Sequence, residues 1–402
     1  MKRLKTLFIT AWYPDKESPV RGVFVREHAK AVQLYDGVMV LHCCRPDPER
    51  NRRLWRIERE SDEALTANIP TCRVWPLPFP IPKLWFVFYV WSVWRAYRWI
   101  VRSGFRPDVI HAHVYEAAVP AVLIGRLCGI PVIAAEHSTA FPRRALKRLE
   151  VWKARLAFRW ADLVAPVSRS LQKAIVGYGI KARFQIVPNV VDTRLFHPAP
   201  VSQRRGQWRR LLTVALLSPA HTKGISYLLR ALAQLGRERQ DGRLDVVGDG
   251  PARKDYVQLA QELDLGDRVT FHGLKPKAYV AELMRTADLL IVPSLFETFS
   301  VVAAEALASG TPVLTTRCGG PEEFVTHRVG LVVPAASEQA LCEGINFMLN
   351  NLGRFDRGEI SRYANELFSP QRVGEKIHKV YLACLADRRA RHGTSSKTAI
   401  HS

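Results

Sequence analysis

The sequence predicts an α/β protein built from two doubly wound domains, each a parallel sheet with helices on both faces. Short apolar runs alternate with helical patterns along nearly the whole chain. The runs are continuously apolar, as expected of parallel strands buried on both faces. A polar, Pro-containing segment divides them into two series, and 402 residues suffice for two separate cores. Together these features predict two consecutive sets of βαβ units.

The strand predictions follow from the position of each apolar run. In the first half they cover residues 6–10, 38–43, 72–77, 108–113, 131–137, 163–168 and 184–189. In the second half they cover residues 211–216, 244–249, 268–273, 289–294, 312–316 and 330–334. The segment 198–210, PAPVSQRRGQWRR, is predicted to link the two series.

The domain boundaries follow from these strands. We predict a first domain over 1–200 and a second over 208–370, with ligands bound at the carboxyl ends of the strands in a cleft between them. An amphipathic pattern predicts a C-terminal helix over 371–392, for which packing back on the first domain is one arrangement. The tail 393–402 is expected to be disordered.

Charge and cysteine content narrow the function classes. The net charge is +22, and residues 1–197 carry 32 Lys and Arg against 16 Asp and Glu. Such an excess indicates an anionic partner, which can be nucleic acid, a phosphorylated substrate or an anionic membrane surface. Seven cysteines without a CxxC pair predict reduced thiols, no structural zinc and a cytoplasmic chain. The N-terminus is not expected to be a signal peptide.

The stretch PSLFETFSVVAAEALASGTP, residues 293–312, places Glu297 and Glu305 eight positions apart. A helix is predicted over its SVVAAEALAS part, with Thr298 or Ser300 as N-cap and Gly310 just past the end. The helix N-terminus suits a diphosphate, and a carboxylate can accept hydrogen bonds from a vicinal diol. The pattern therefore favours a nucleotide-sugar, although an isolated pair of this spacing is more often structural.

The surrounding motifs resemble the retaining GT-B glycosyltransferases of family 4. They are PSLFETFSVVAAEALASGTPV and CGGPEEFV, HTKGISYLLRAL, LDVVGDGP, RVTFHG, IVPNVVDTRLFHP and, near the N-terminus, WYPDKESPVRGVFVREHAKAV. The resemblance covers nearly the full chain. It implies a GT-B fold, in which two Rossmann-like domains face each other across a cleft.

The resemblance also implies roles within the Glu–Glu segment. Glu305 should hold the ribose hydroxyls, and Glu297 should contact hydroxyls of the transferred sugar near the reacting centre. Backbone N–H groups should meet the sugar and the phosphates, and they belong to Phe299, Ser300 and Val301.

Four further residues take roles from the resemblance. Lys223 should bind the diphosphate and stabilise the departing nucleotide. Gly22 should allow backbone to approach the phosphates, and the backbone at Leu274 should meet the base. His137, in AAEHST, matches a histidine near the sugar and the acceptor, whereas His111 and His113 are interpreted as structural.

Two departures from the family pattern leave questions open. The family's Arg before the K-G pair is absent from VALLSPAHTKG, so His221 or another basic residue supplies charge, or Lys223 acts without a partner. Val190 replaces a turn glycine in NVVD, so the turn must avoid positive φ. No D-x-D occurs, which favours a metal-independent enzyme without a cofactor.

Two basic, aromatic segments in the first half favour contact with an anionic membrane. Residues 82–106 combine Trp, Phe and Tyr with arginines, and residues 141–160 form a cationic amphipathic pattern. The apolar part of residues 82–106 is too short to span a bilayer, and the alternative for this segment is a core helix of the first domain. The alternative to membrane contact is a solvated basic face.

The sequence thus predicts a retaining, metal-independent glycosyltransferase that moves a sugar from a nucleotide-sugar to a lipid-linked or cell-surface saccharide. We expect it in the cytoplasm, peripheral on the inner face of the plasma membrane. An enzyme acting on a soluble acceptor, such as a glucan synthase, or a sugar-nucleotide epimerase of the same fold is the alternative. Nucleic-acid binding and dinucleotide oxidoreduction are disfavoured, because neither a nucleic-acid motif nor a strand followed by GxGxxG occurs.

Overall fold

The computed structural model describes residues 3–18, 20–44, 55–76, 84–199, 208–236 and 239–398. It divides the chain into two compact units. Unit 1 comprises Met1–Val190 with Pro370–Ser402, and unit 2 comprises Val191–Ser369. Each unit contains one sheet and a hydrophobic core of its own.

Unit 1 is a seven-stranded α/β sandwich. Its strands are β1 (Lys5–Thr10), β2 (Gly37–Cys43), β3 (Trp55–Arg59), β4 (Thr71–Pro76), β5 (Val109–His113), β6 (Val132–Glu136) and β7 (Leu163–Pro166). Its helices are α1 (Val23–Gln33), α2 (Glu63–Thr66), α3 (Trp85–Arg102), α4 (Tyr115–Cys128), α5 (Arg148–Trp160) and α6 (Arg169–Val176). The strand order is β3-β4-β2-β1-β5-β6-β7, and all neighbours are parallel except β3 and β4.

Unit 2 carries a six-stranded, wholly parallel sheet. Its strands are β8 (Arg209–Val214), β9 (Gly242–Val247), β10 (Val269–Gly273), β11 (Leu289–Val292), β12 (Val313–Thr316) and β13 (Gly330–Val333), in the order β10-β9-β8-β11-β12-β13. Its helices are α7 (Ile225–Leu235), α8 (Arg253–Glu262), α9 (Lys277–Thr286), α10 (Val301–Ala308), α11 (Glu338–Asn350) and α12 (Arg357–Phe368). Two doubly wound parallel-sheet domains are therefore present, as the alternation of apolar and helical patterns predicts.

The last helix, α13 (Pro370–Thr398), belongs to unit 1. Gly374 lies so close to α1 that an added Cβ would stand 2.3 Å from the carbonyl oxygen of Ala31. His378 contacts the buried Asp36 carboxylate at 2.9 Å, and Arg388 donates to Asp162 at 3.0 Å. These contacts fix α13 against the body of unit 1.

The observed boundaries correct several predictions. Unit 2 begins at Val191 rather than 208, because the Val191 N–H donates to the carbonyl of Phe368 and Arg285 donates to the carbonyl of Leu195. Residues 191–199, predicted to be part of the first domain, therefore belong to unit 2. Most of the predicted linker, residues 200–207, lies outside the described residues.

Two element predictions were also wrong. Residues 184–189 form no regular strand beyond an isolated bridge from Phe184 to Val164. Gln185 and Val187 donate to carbonyls of Val164 and Pro166, but Pro166 has no amide hydrogen to donate back. The helix α13 continues to Thr398, through part of the tail expected to be disordered. Extending a helix that packing has already nucleated costs little.

The two basic segments form helices shorter than their sequence patterns. The helix in 141–160 begins only at Arg148, after turns at 139–144, and the helix in 82–106 spans Trp85–Arg102. Within the described residues, no helix is long and apolar enough to cross a membrane.

Candidate functional site

A pocket of about 220 Å³ opens in unit 2 where the chain changes direction in the sheet. From β8 the order runs to β9 and β10 on one side and to β11, β12 and β13 on the other. Ligands of doubly wound sheets bind outside the carboxyl ends of the strands at this switch point. Residues following β8 and β11 line the pocket together with the first turn of α10. Of the predicted residues, the lining contains Lys223, Glu297, Ser300 and Val301.

Lys223 reaches the pocket because the residue after it is glycine. Gly224 has φ +64°, and a Cβ there would lie 1.9 Å from the carbonyl oxygen of Pro293. The Leu295 N–H also donates to the Thr222 carbonyl at 2.8 Å. Only glycine permits this approach, which places the lysine beside the loop that follows β11.

Glu297 and Lys223 form an ion pair at the pocket wall. The Lys223 Nζ lies 2.6 Å from Glu297 Oε1, and the Ser294 hydroxyl donates to the same oxygen at 2.8 Å. Within the described chain no hydrogen-bond donor reaches Glu297 Oε2, so this oxygen can accept from a ligand hydroxyl.

The double-glycine loop anchors the backbone of Glu297. The Glu297 N–H donates to the carbonyl of Cys318, and the Gly320 N–H donates back to the carbonyl of Glu297. A Cβ at Gly320 would lie 2.4 Å from the backbone nitrogen of Phe299, so the loop packs directly on the residues that lead into α10. The GG pair is thus a support for the site.

The N-terminus of α10 faces the pocket without a side-chain cap. Ser300 occupies the N-cap position with φ +68° and ψ +81°, an uncommon conformation for a non-glycine residue, and its side chain makes no capping hydrogen bond. Ser300 is therefore at the predicted N-cap position, but the prediction that its side chain caps the helix was wrong. The uncapped amide donors and the helix dipole favour an anion here. Phe299 is buried between the rings of Phe324 and Phe368 and fixes the helix entry.

Glu305 lies in the second turn of α10 and is buried, outside the residues that line the pocket. Its Oε1 accepts from Lys277 Nζ at 3.3 Å, at the start of α9. Leu274 follows Gly273 at the end of β10, and two thirds of its side chain is exposed.

The absent family arginine has no substitute in the lining of this pocket. His221 is turned to Tyr256, with Nδ1 2.7 Å from the phenolic oxygen. Lys223 is the one cation among the residues that line the pocket. Of the three alternatives left by the sequence, unit 2 therefore favours Lys223 acting without a second cation.

Gly22 and His137 belong to unit 1, where they flank the corresponding switch point at β1. Gly22 has φ +68° directly before α1, and a Cβ there would lie 2.3 Å from the Trp12 carbonyl oxygen. His137 follows β6 and stacks on Phe24, the second residue of α1, with ring centroids 4.4 Å apart. The glycine loop and His137 thus lie on neighbouring parts of unit 1. Val190 avoids positive φ, as its substitution for glycine predicts.

His137 is part of a cluster of buried histidines. Its Nε2 lies 3.1 Å from His113 Nδ1, and the ring of His28 on α1 lies 5.5 Å from it between centroids. Burial holds the pKa of His137 well below its ordinary value, and the neighbouring imidazoles lower it further. The ring is therefore neutral at physiological pH. His113 contacts His137 directly, and His111 bonds to Tyr381 at 2.7 Å.

Glu136 positions the His137 loop. Its carboxylate accepts from the backbone N–H groups of Tyr115, His137 and Ser138 at 2.8 to 2.9 Å. Burial raises the pKa of Glu136 to about 7, against the opposing effect of these three donors. Val114, just before Tyr115, has φ +67°, which is strained for a β-branched residue.

The histidine cluster is also the one group of potential metal ligands that the described residues bring together. One nitrogen each of His28, His113 and His137 lies within 4.8 Å of the others. The rings of His113 and His137 are stacked at 19° between planes, so their lone pairs do not converge on one point. This geometry favours hydrogen bonding over metal ligation, and metal independence stays a prediction.

The two doubly wound domains and the switch-point pocket are the architecture expected of a GT-B glycosyltransferase. The family model "Glycosyl transferases group 1" matches residues 203–366, and "Glycosyltransferase Family 4" matches residues 23–195. The MMP alpha-(1->4)-mannosyltransferase of Mycolicibacterium hassiacum is 30% identical over 373 residues, which cover 85% of this chain and 83% of that protein. The chain belongs to this glycosyltransferase family.

Solved structures show the same fold. The sucrose-phosphate synthase of Thermosynechococcus elongatus superimposes with a TM-score of 0.76 at 22% identity, covering 96% of this chain and all of the other. Anabaena HepE in complex with UDP gives a TM-score of 0.73 at 22% identity, with 95% and 100% coverage.

Several residues of the site carry no signal that sequence reasoning used. Ser294 and Lys277 touch the two carboxylates, yet a serine after a strand and a lysine at a helix start are ordinary. Glu136, which precedes His137 in AAEHST, belongs to no pattern of its own. Gly224 is the exception, because a glycine directly before a predicted helix can indicate a close backbone approach such as the one to Pro293.

Proposed function

We propose that this protein transfers a hexose from a nucleotide-sugar, with retention of configuration, to a lipid-linked or cell-surface saccharide at the cytoplasmic face of a membrane. The ion pair of Lys223 and Glu297 beside the free N-terminus of α10 is the observation that carries the proposal. It joins a cation, uncapped amide donors and a free carboxylate oxygen in one pocket. These three groups match the diphosphate and the hydroxyls of a nucleotide-sugar.

The donor binds along α10 in this proposal. Glu305, buried and in contact with Lys277, accepts from the ribose hydroxyls. The N–H groups at Phe299, Ser300 and Val301 and the α10 dipole bind the diphosphate. The backbone at Leu274 contacts the base. The similarity to HepE, whose solved structures contain UDP, UDP with glucose, and UDP-glucose, supports a nucleotide-sugar donor.

Charge develops on the leaving diphosphate during transfer, and Lys223 is the group that neutralises it. An ammonium has three N–H donors, so Lys223 can keep Glu297 while donating to phosphate oxygens. Glu297 Oε2 then orients the sugar by accepting from its hydroxyls. The helix dipole and Lys223 together stabilise the leaving group without a metal ion.

His137 acts toward the sugar and the acceptor in this proposal. Because its pKa is depressed by burial, it works as a neutral hydrogen-bonding group and not as a cation. Glu136 holds the loop in place through three backbone amides. Gly22 keeps the preceding loop close to Trp12.

A lipid-linked or cell-surface acceptor is supported by the surface of unit 1. Its helix α5 exposes Leu149 and Trp152, and α3 exposes Trp91 among arginines. Large exposed apolar side chains beside cations suit an anionic membrane interface. Seven free cysteines agree with a reducing compartment.

The direct test incubates the purified protein with UDP-, GDP- and ADP-sugars and membrane extracts, with and without EDTA. Release of one nucleoside diphosphate together with sugar incorporation into lipid is expected, and NMR of the product should show the anomeric configuration of the donor. Transfer only to a soluble sugar would favour the alternative of a soluble-acceptor enzyme. Inverted product or loss of activity with EDTA would refute the corresponding part of the proposal.

A further inference from the structure

A second pocket, of about 440 Å³, lies in unit 1 between the edge strand β3 and the helix α3. The Trp55 indole N–H donates to the carbonyl of Ser92 at 3.3 Å and holds the strand against the helix. Indoles and guanidiniums line the pocket throughout, and they belong to Trp55, Trp91, Trp94, Arg95, Arg98, Trp99 and Arg102. Nothing in the donor site or the histidine cluster uses this pocket.

The arginines of the pocket carry charge that the described chain does not neutralise. Arg95, Arg98 and Arg102 recur on one face of α3, and no described carboxylate pairs with any of them. The guanidinium of Arg95 is stacked between the rings of Trp55 and Trp91, 4.9 Å from each centroid. Stacking fixes the plane of the guanidinium and leaves its N–H edge available for an anion.

The same face of α3 becomes apolar toward its N-terminus. Leu84 and Val87 are exposed there, and Trp91 borders both parts. Lys153 of α5 lies over the ring of Phe86 at 3.9 Å, so α5 with its exposed Leu149 and Trp152 adjoins this end of α3. A cationic pocket that continues into exposed aliphatic and indole groups matches the boundary between lipid head groups and acyl chains.

We propose that the pocket between β3 and α3 binds the phosphate group of an anionic membrane lipid. Arg95, Arg98 and Arg102 donate to the phosphate, while Leu84, Val87 and Trp91 enter the interfacial layer. A single-stranded nucleic acid fits less well, because Arg95 already occupies faces of the two indoles on which bases would stack. The inference rests on the membrane part of the proposed function and adds a specific phosphate site to it.

A charge-preserving substitution separates a phosphate site from diffuse attraction. The triple variant Arg95→Lys, Arg98→Lys, Arg102→Lys keeps the net charge but loses the planar fork of donors. The full chain is floated with vesicles of phosphatidylcholine alone and of phosphatidylcholine mixed with phosphatidylglycerol. We expect wild type to bind only the mixed vesicles, and the Lys variant to bind them about tenfold more weakly.

Matched controls use the rest of the chain. The variant Lys254→Gln, Arg354→Gln, Arg362→Gln removes three exposed charges from unit 2 and should bind vesicles like wild type. Both variants should keep wild-type thermal unfolding and wild-type binding of a nucleoside diphosphate.

The outcomes distinguish the two claims. If wild type binds mixed vesicles and the Lys variant binds them equally well, the pocket is refuted while membrane association stands. If wild type binds no vesicles, both are refuted, and binding of a single-stranded oligonucleotide that the Lys variant weakens would assign the pocket to nucleic acid. If wild type does not bind a nucleoside diphosphate, the proposed donor site is refuted and the lipid pocket is unaffected.

Discussion

Replacing Lys223 by Gln separates a catalytic cation from a structural ion pair. Its Nζ lies 2.6 Å from Glu297, and the two side chains are 32% and 11% exposed. A partly exposed pair of this kind contributes about 1 kcal/mol or less to folding, because solvent screens it. If the same ammonium stabilises the leaving diphosphate, its loss should lower kcat by about 100-fold or more, equivalent to about 3 kcal/mol in the transition state.

The assay measures kcat and KM for sugar transfer together with thermal unfolding. Arg230→Gln is the matched control, because it removes a cation from α7, the helix that begins after the K-G pair, and breaks a surface pair with Glu338. We expect this control to behave as wild type in both measurements. A Lys223→Gln enzyme with kcat within about threefold of wild type would refute the catalytic role. A loss of activity explained by a matching loss of folded protein would refute it as well.

Two further predictions concern unit 1. In urea unfolding, Gly22→Ala should destabilise the protein by about 2 kcal/mol or more, since strain at φ +68° adds to a Cβ 2.3 Å from the Trp12 carbonyl oxygen. Gly129→Ala is the control, because Gly129 has φ +70° with open space around it and its substitution should cost only the backbone strain. Equal losses of stability in the two variants would contradict the close approach at Gly22. Acidification from pH 7 to 5 should cost about 2 kcal/mol through His28 alone, because burial lowers its folded pKa to about 4 while the unfolded ring binds a proton near pH 6.5. A His28→Gln variant should lose less stability than wild type over the same interval, and an unchanged pH dependence would show that His28 is not held neutral.

The sequence predicts the sheets of both units well because parallel strands are continuous apolar runs. It misses β3, whose residues WRIER carry three charges and lie at a sheet edge, where charged residues are common. It also predicts a strand at 184–189, since hydrophobic patterning does not register that Pro166 on the neighbouring strand cannot donate to this segment. Domain boundaries depend on long-range contacts such as Val191 with Phe368, which no local pattern contains.

The site is predictable to a similar extent. The motifs identify Lys223 and Glu297, but their ion pair depends on Gly224 meeting Pro293 across the switch point. The positive φ of Ser300 likewise cannot be predicted from residue propensities, because serine is a common N-cap residue with extended backbone. Partners such as Lys277 become recognisable only once the sheet order brings α9 beside α10.

The central claim is that α10 holds a nucleotide-sugar between Lys223 and Glu305. Isothermal titration of the matching nucleoside diphosphate and of its nucleoside tests it most directly, with wild type, Lys223→Gln and Glu305→Gln. We predict that Lys223→Gln weakens binding of the diphosphate by about tenfold and leaves nucleoside binding unchanged, while Glu305→Gln weakens both. Wild-type affinities for both ligands in both variants would contradict the claim.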